Sequence, residues 1–148
     1  MAWMRTIGLD GEGTYRWDDG LCLGVSEIDR QHQELFRIAG KIERLVHEYA
    51  GDLPRRIRLL EEAFRYLESY AREHFAAEES FQLESGYAGY SAHKEVHDGF
   101  LRSVVALKLK LAGNGYDMDT TSNFLEWFAS WLYNHIMNDD RKIVDGRS

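Results

Sequence analysis

From Ser26 onward the apolar residues recur at steps of three and four, and one proline, Pro54, is all that could interrupt them. That spacing is the repeat of an α-helix with one apolar stripe, and such a stripe must be buried against other helices. In "SEIDRQHQELFRIAGKIERLVHEYA" the stripe is Ile28, Leu35, Ile38, Ile42, Leu45 and Tyr49, with Ser26 placed to cap the helix start. "GDLP" ends this helix and opens the next, with Asp52 as its cap and Pro54 in its first turn. The second helix is expected over 54–84. "SGYAGYS" is then a turn, and Ser91 caps a third helix that runs to "GNG" at 113–115. A fourth begins near Asp117 or Asp119. Glycines at 8, 11, 13, 20 and 24 make residues 1–25 an irregular arm, and the helices occupy about 26–143. No repeat and no strand-rich block is present. The expected fold is all-α: an antiparallel up-down four-helix bundle with an N-terminal arm, formed by residues 1–148 as one domain.

Polar residues fall where the apolar stripes should be. Residues four apart on a helix project from nearly the same face. "HFAAEESF" sets His74 four before Glu78, and "HKEVHDGF" sets His93 four before His97. His32 stands four after Ile28 and three before Leu35; His135 stands four after Trp131 and three after Leu132. Any one histidine beside an apolar face is most simply a core or half-exposed side chain. Five imidazoles near the inner faces of all four helices are another matter, because burying them without partners is costly. A metal site satisfies them together. Five imidazoles with carboxylates exceed what one tetrahedral zinc takes, so two metals bridged by carboxylates are expected. Imidazole and carboxylate suit iron, manganese or zinc, and spacing does not choose among them.

Composition removes several other functions. Lys and Arg total 18 against 25 Asp and Glu, a net charge of −7, which argues against nucleic acid or an anionic membrane surface as a partner. Cys22 is the single cysteine, so internal disulfides and cysteine-rich zinc or iron–sulfur sites are excluded. It is expected to be a small buried side chain. "MAWMRTIGLDGEGTY" has no apolar signal core and no stretch is long enough to span a membrane, so a reducing cytoplasm is the expected location. His47 belongs to no ligand pattern and is expected at the surface.

"WDDGLCLGVSEIDRQH" at 17–32, "HFAAEESF" from 74, "HKEVHDGF" from 93 and "WLYNHIMNDD" from 131, taken as a set, strongly resemble the hemerythrins, particularly their single-domain bacterial members. The match covers roughly residues 15–143. It implies a non-haem diiron centre: His93, His97 and His135 on one iron, His32 and His74 on the other, and Glu78 and Asp140 bridging, with an oxo or hydroxo group as a third bridge. The resemblance further implies that dioxygen, the partner ligand, binds reversibly at the open position of the two-histidine iron, for carriage, storage or sensing. A diiron oxidoreductase acting on peroxide, nitric oxide or ferrous iron is the alternative, and an oxygen- or redox-sensing interaction module is the third reading. No catalytic residue is expected if the protein is a carrier.

Asp140 follows His135 by five residues, about 140° off its face in a regular helix. Geometry alone favours Asp139; the family spacing selects Asp140 and requires the helix to distort or end near 138–140. Asp139 is then expected to face solvent, and Glu79, five after His74, likewise. Leu132 and Trp131 are the expected dry wall of a dioxygen pocket. Phe36, Phe75 and Phe100 are read as core residues, Trp17 as an anchor for the arm, and Asp29 as a polar support at the helix start. Two positions depart from related sequences. Gln82 stands where methionine is frequent and is read either as an exposed residue or as a hydrogen-bonding group at the pocket. Ala88 replaces a common proline in the turn.

Overall fold

The computed structural model describes residues 19–145. Its elements are a short 3-10 turn (Asp19–Leu21), α1 (Ser26–Glu48), α2 (Leu53–Glu84), α3 (Tyr90–Gly113), α4 (Met118–His135), a π-helical turn (Ile136–Asp140) and α5 (Arg141–Asp145). No strand occurs among the described residues. α1 packs on α2 and α4, and α3 packs on the same two helices, which closes a ring of four. The links at 49–52, 85–89 and 114–117 are too short to cross the bundle, so successive helices reverse direction. The all-α antiparallel bundle expected from the sequence is therefore the fold. Trp17, read as an anchor for the arm, lies outside the described residues.

Local chemistry sets most boundaries. The Asp52 carboxylate accepts the Arg55 N–H at 3.3 Å, and Pro54 occupies the first turn of α2. Asp117, not Asp119, caps α4, accepting the Thr120 N–H at 3.4 Å. Gly86 and Gly115, with φ of +68° and +63°, take left-handed positions in the turns that follow α2 and α3. Two expected caps are corrected. Ser26 is the first residue of α1, not its cap; Val25 precedes it and offers no side-chain acceptor. Asp29 does this work one turn on: its carboxylate accepts the N–H groups of Leu23 at 2.8 Å and Gly24 at 3.1 Å, tying the incoming chain to the first turn. Ser91 is likewise inside α3, which starts at Tyr90 after Gly89 and has no side-chain cap.

The bundle interior has two halves. Ile42, Val46, Leu60, Phe64, Leu111 and Phe124 fill one end with apolar side chains. Burying each Leu or Phe contributes about 1.5–3 kcal/mol. At the other end the same faces carry His32, His74, Glu78, His93, His97, His135 and Asp140, all buried. Cys22, expected to be buried, is exposed: it sits between the buried Leu21 and the chain entering α1, on the outward side. His47 is exposed as expected and pairs with Glu43 at 3.0 Å. Among the described residues no helix is long and apolar enough to cross a membrane.

Candidate metal centre

α1 supplies His32, α2 supplies His74 and Glu78 one turn apart, and α3 supplies His93 and His97 one turn apart. The fourth helix supplies His135 and Asp140 across the π turn. That turn is the distortion implied by the resemblance's choice of Asp140 over Asp139. The Arg141 N–H reaches back to the Ile136 carbonyl, five residues earlier, so one extra residue is held in the turn. His135 and Asp140 consequently face the same side, with His135 Nε2 3.0 Å from Asp140 Oδ1.

The donor atoms form two groups that share both carboxylates. Glu78 Oε2 lies 2.9 Å from His32 Nε2 and 2.8 Å from His74 Nε2, and Asp140 Oδ2 lies 3.1 Å from His32 Nε2. The other two oxygens face the other way. Glu78 Oε1 lies 3.2 Å from His97 Nε2 and 3.4 Å from His93 Nε2; Asp140 Oδ1 lies 2.9 Å from His93 Nε2. Each carboxylate thus turns one oxygen to each group. In the larger group His135 Nε2 is 3.0 Å from His97 Nε2 and 3.2 Å from His93 Nε2. Ligands at about 2.1 Å on neighbouring corners around one ion stand about 3 Å apart, which is this spacing.

Two observations test whether these residues fit metal ions. First, His74 Nε2, Glu78 Oε1 and both Asp140 oxygens are buried, and apart from the short contacts within the cluster given above none has a hydrogen-bond partner among the described residues. Orphaned buried polar atoms typically cost about 1–3 kcal/mol each, and metal coordination removes that cost. Second, three Nε2 atoms that converge at hydrogen-bond distance cannot all be satisfied by one another, since each imidazole must donate or accept. The donor set fits two cations.

Without a cation the same charges are balanced by protons. Burial disfavours imidazolium at His32, but hydrogen bonds and the charges of Asp140 and Glu78 outweigh it and raise the group to about 9. His93 is raised to about 9 against its burial by the same two carboxylates, and His135 to about 10 against its burial by Asp139 and Asp140. Burial wins at His74, which is lowered although the Glu78 and Asp140 charges oppose it. Burial works against ionisation of Glu78, yet His74, His32 and His93 hold it well below the usual carboxylate range. Asp140 is lowered too, although burial and the Glu78 charge oppose it, because His135 and His32 face it. A cation entering here replaces protons, as metal sites built on imidazole and carboxylate do.

The family model described as Hemerythrin HHE cation binding domain matches residues 23–145. The chain belongs to the hemerythrin family. It is similar to a protein called Bacteriohemerythrin from Clostridium acetobutylicum, 33% identical over 131 residues, covering 87% of this chain and 98% of that one. A second Bacteriohemerythrin, from Stenotrophomonas maltophilia, is 30% identical over 87% of this chain and 78% of its own. A Hemerythrin-like protein from Naegleria gruberi is 27% identical, covering 86% and 89%. Membership in the hemerythrin family implies non-haem iron binding.

Behind the hemerythrin donor set stands a layer of side chains that sequence reasoning missed. Glu79 Oε2 lies 2.9 Å from His97 Nδ1, and Asp139 Oδ2 lies 2.9 Å from His135 Nδ1. Both were expected to face solvent. Each instead meets the outer nitrogen of an imidazole, and the His135 contact holds the Asp139 carboxyl below its ordinary range. Gln31 Oε1 does the same for His74 Nδ1 at 2.8 Å. Accepting the Nδ1–H leaves the Nε2 lone pair pointing inward, the tautomer a metal ligand needs. The four-residue step from His135 to Asp139 was a visible signal; nothing in the sequence singled out Gln31.

Apolar and aromatic groups close the remaining sides. Trp131 stacks on His135 with ring centres 4.5 Å apart, and Leu132 beside it is buried. Phe75 stacks on His97 at 4.0 Å, and Phe100 stacks on Trp131 at 3.9 Å, so these phenylalanines are both core and wall. Phe36 is buried in the core of α1. Gln82 is fully buried, not exposed, and neither of its amide atoms has a hydrogen-bond partner among the described residues.

Proposed function

We propose that this chain binds two irons and that the pair binds dioxygen reversibly. His93, His97 and His135 hold one iron, His32 and His74 the other, and Glu78 and Asp140 bridge them. The observation that carries this reading is the division of the two carboxylates, each with one oxygen toward each histidine group. Five neutral imidazoles and two carboxylates supply seven protein ligands with a charge of −2 to offset the cations. The group with two histidines has one imidazole fewer and is where an exogenous ligand enters. When bound, the iron pair supplies reversible two-electron chemistry to dioxygen.

The chain's own residues do the rest. Gln31, Glu79 and Asp139 fix the orientation of three imidazoles. Leu132 and Trp131 pack beside His135 and would limit the access of bulk water to the centre. Gln82 is the polar member of the same surroundings.

The test is anaerobic reconstitution with ferrous iron, then exposure to air and removal of oxygen under an optical monitor. A carrier cycles between two spectra without net oxidation. Steady conversion to the ferric form with consumption of peroxide or nitric oxide would replace this reading with the oxidoreductase one. A single zinc per chain with no iron uptake would end both.

A further inference from the structure

His74, Glu78 and Gln82 follow one another at four-residue steps along α2, and all three are buried. Gln82 is the member with no assigned work. Cations satisfy the orphaned oxygens of Glu78 and Asp140 and the orphaned Nε2 of His74. They do nothing for the Gln82 amide N–H groups, because a cation takes lone pairs and not hydrogens. Buried amides in folded proteins are hydrogen-bonded as a rule, so this one calls for a partner other than the described protein groups around it. Its neighbour on the helix face is Glu78. Side chains four apart start about 5–6 Å from each other, and the two make no direct hydrogen bond. One water molecule is the smallest group able to accept from the amide and donate to the carboxylate across such a spacing. A metal-bound carboxylate oxygen still has a second lone pair with which to accept.

We propose that Gln82 is a positioning residue of the metal centre, its amide donating through one water to the Glu78 carboxylate. The inference rests on the reading above, in which Glu78 bridges two irons. A hydrogen bond donated to a bridging carboxylate draws electron density away from the metal and favours its lower oxidation state. Gln82 therefore raises the midpoint potential of the pair and stabilises the reduced form that takes up dioxygen. Methionine at this position would have no N–H and would leave Glu78 the stronger donor.

The test uses Gln82→Met and Gln82→Leu, two apolar replacements of different shape. Each is loaded with iron, its metal content is measured, and its midpoint potential is titrated beside the wild type. Both variants keep two irons and shift downward, so that at one applied potential the ferric-to-ferrous ratio rises about tenfold, about 59 mV for a one-electron step. A second readout uses the wild type loaded with zinc, which is diamagnetic. The Gln82 side-chain amide protons give nuclear Overhauser contacts to a bound water. Unchanged potentials in both iron-loaded variants overturn the inference and leave the diiron reading standing; so do Gln82 amide protons without a water contact. Failure of the wild type to take up two metals overturns the diiron reading itself, and is visible before any variant is compared.

Discussion

The two histidine groups differ in what stands behind their imidazoles. On the three-histidine side, His97 and His135 each donate to a carboxylate, Glu79 and Asp139. On the two-histidine side, His74 meets the neutral amide of Gln31, and His32 Nδ1 has no hydrogen-bond partner among the described residues. A carboxylate behind an imidazole raises its basicity and tightens its hold on a metal; an amide orients the ring without adding charge. In the proposed centre, the cation on the three-histidine side would have more imidazole ligands, two of them backed by carboxylates, and the cation on the other side fewer, one of them backed by an amide. Stable retention and ligand exchange would then be divided between two positions that share the same two carboxylates.

The largest expected effect comes from removing what the two sides share. Asp140→Asn takes a charge from both groups, and metal analysis should show loss of both ions. Asp139→Asn, one residue away, should keep two ions with weaker affinity. If the outcomes were exchanged, the π turn would have the opposite meaning and Asp139 would be the bridging residue. Next in size are His32→Ala and His74→Ala. Each should leave about one metal per chain, held on the three-histidine side, with the helical signal preserved. Two ions retained with wild-type affinity in both variants would break the division into groups.

Smaller effects sharpen the contrast. Glu79→Gln should weaken only the tighter step of a two-step metal titration, by about 10–100-fold. Gln31→Glu should strengthen only the looser step and bring the two closer together. A uniform change in both steps would show that the outer residues do not act side by side. The smallest change is Cys22→Ser, on the exposed side chain outside both groups. It should leave both metal steps unaltered and shift unfolding free energy by less than about 0.5 kcal/mol in a denaturant titration.

Much of this was legible along the chain because helical geometry is periodic. The four-residue steps from His74 to Glu78 and from His93 to His97 imply shared faces, and the structure brings those side chains together. Pro54 and Asp52 marked a helix start for the same local reason that they make one. Geometry alone favoured Asp139; the hemerythrin resemblance selected Asp140 and with it a helical irregularity, and a π turn is there. What failed was the division of each helix into an inner and an outer face. Glu79 and Asp139 sit on the border between them, where a side chain can reach around to the back of an inward-facing imidazole. Glu79 does so only because α3 brings His97 alongside α2, which periodicity within one helix does not encode. Gln82 was open between two readings. A polar side chain near a helix end is usually exposed, but the four-residue step from Glu78 points inward, and the structure buries it. Ser26 and Ser91 are suitable capping residues placed one and two positions too late.

The π turn has an effect beyond the residue it turns inward. An added residue advances everything after it by one step of the helical screw, about 100°. α5 therefore leaves the bundle on an azimuth fixed by residues 136–140, and on that azimuth Ile143 is buried, with Val144 beside it, against Leu23 and Val25 of the entering chain. Glu78 and Asp140 line the same crevice. Deleting one residue from the turn would unwind the end of the chain as a key turns in a lock. Asp140 would swing off the centre and Ile143 off the crevice in one movement. The carboxylate and the stopper over it are thus cut on a single blade.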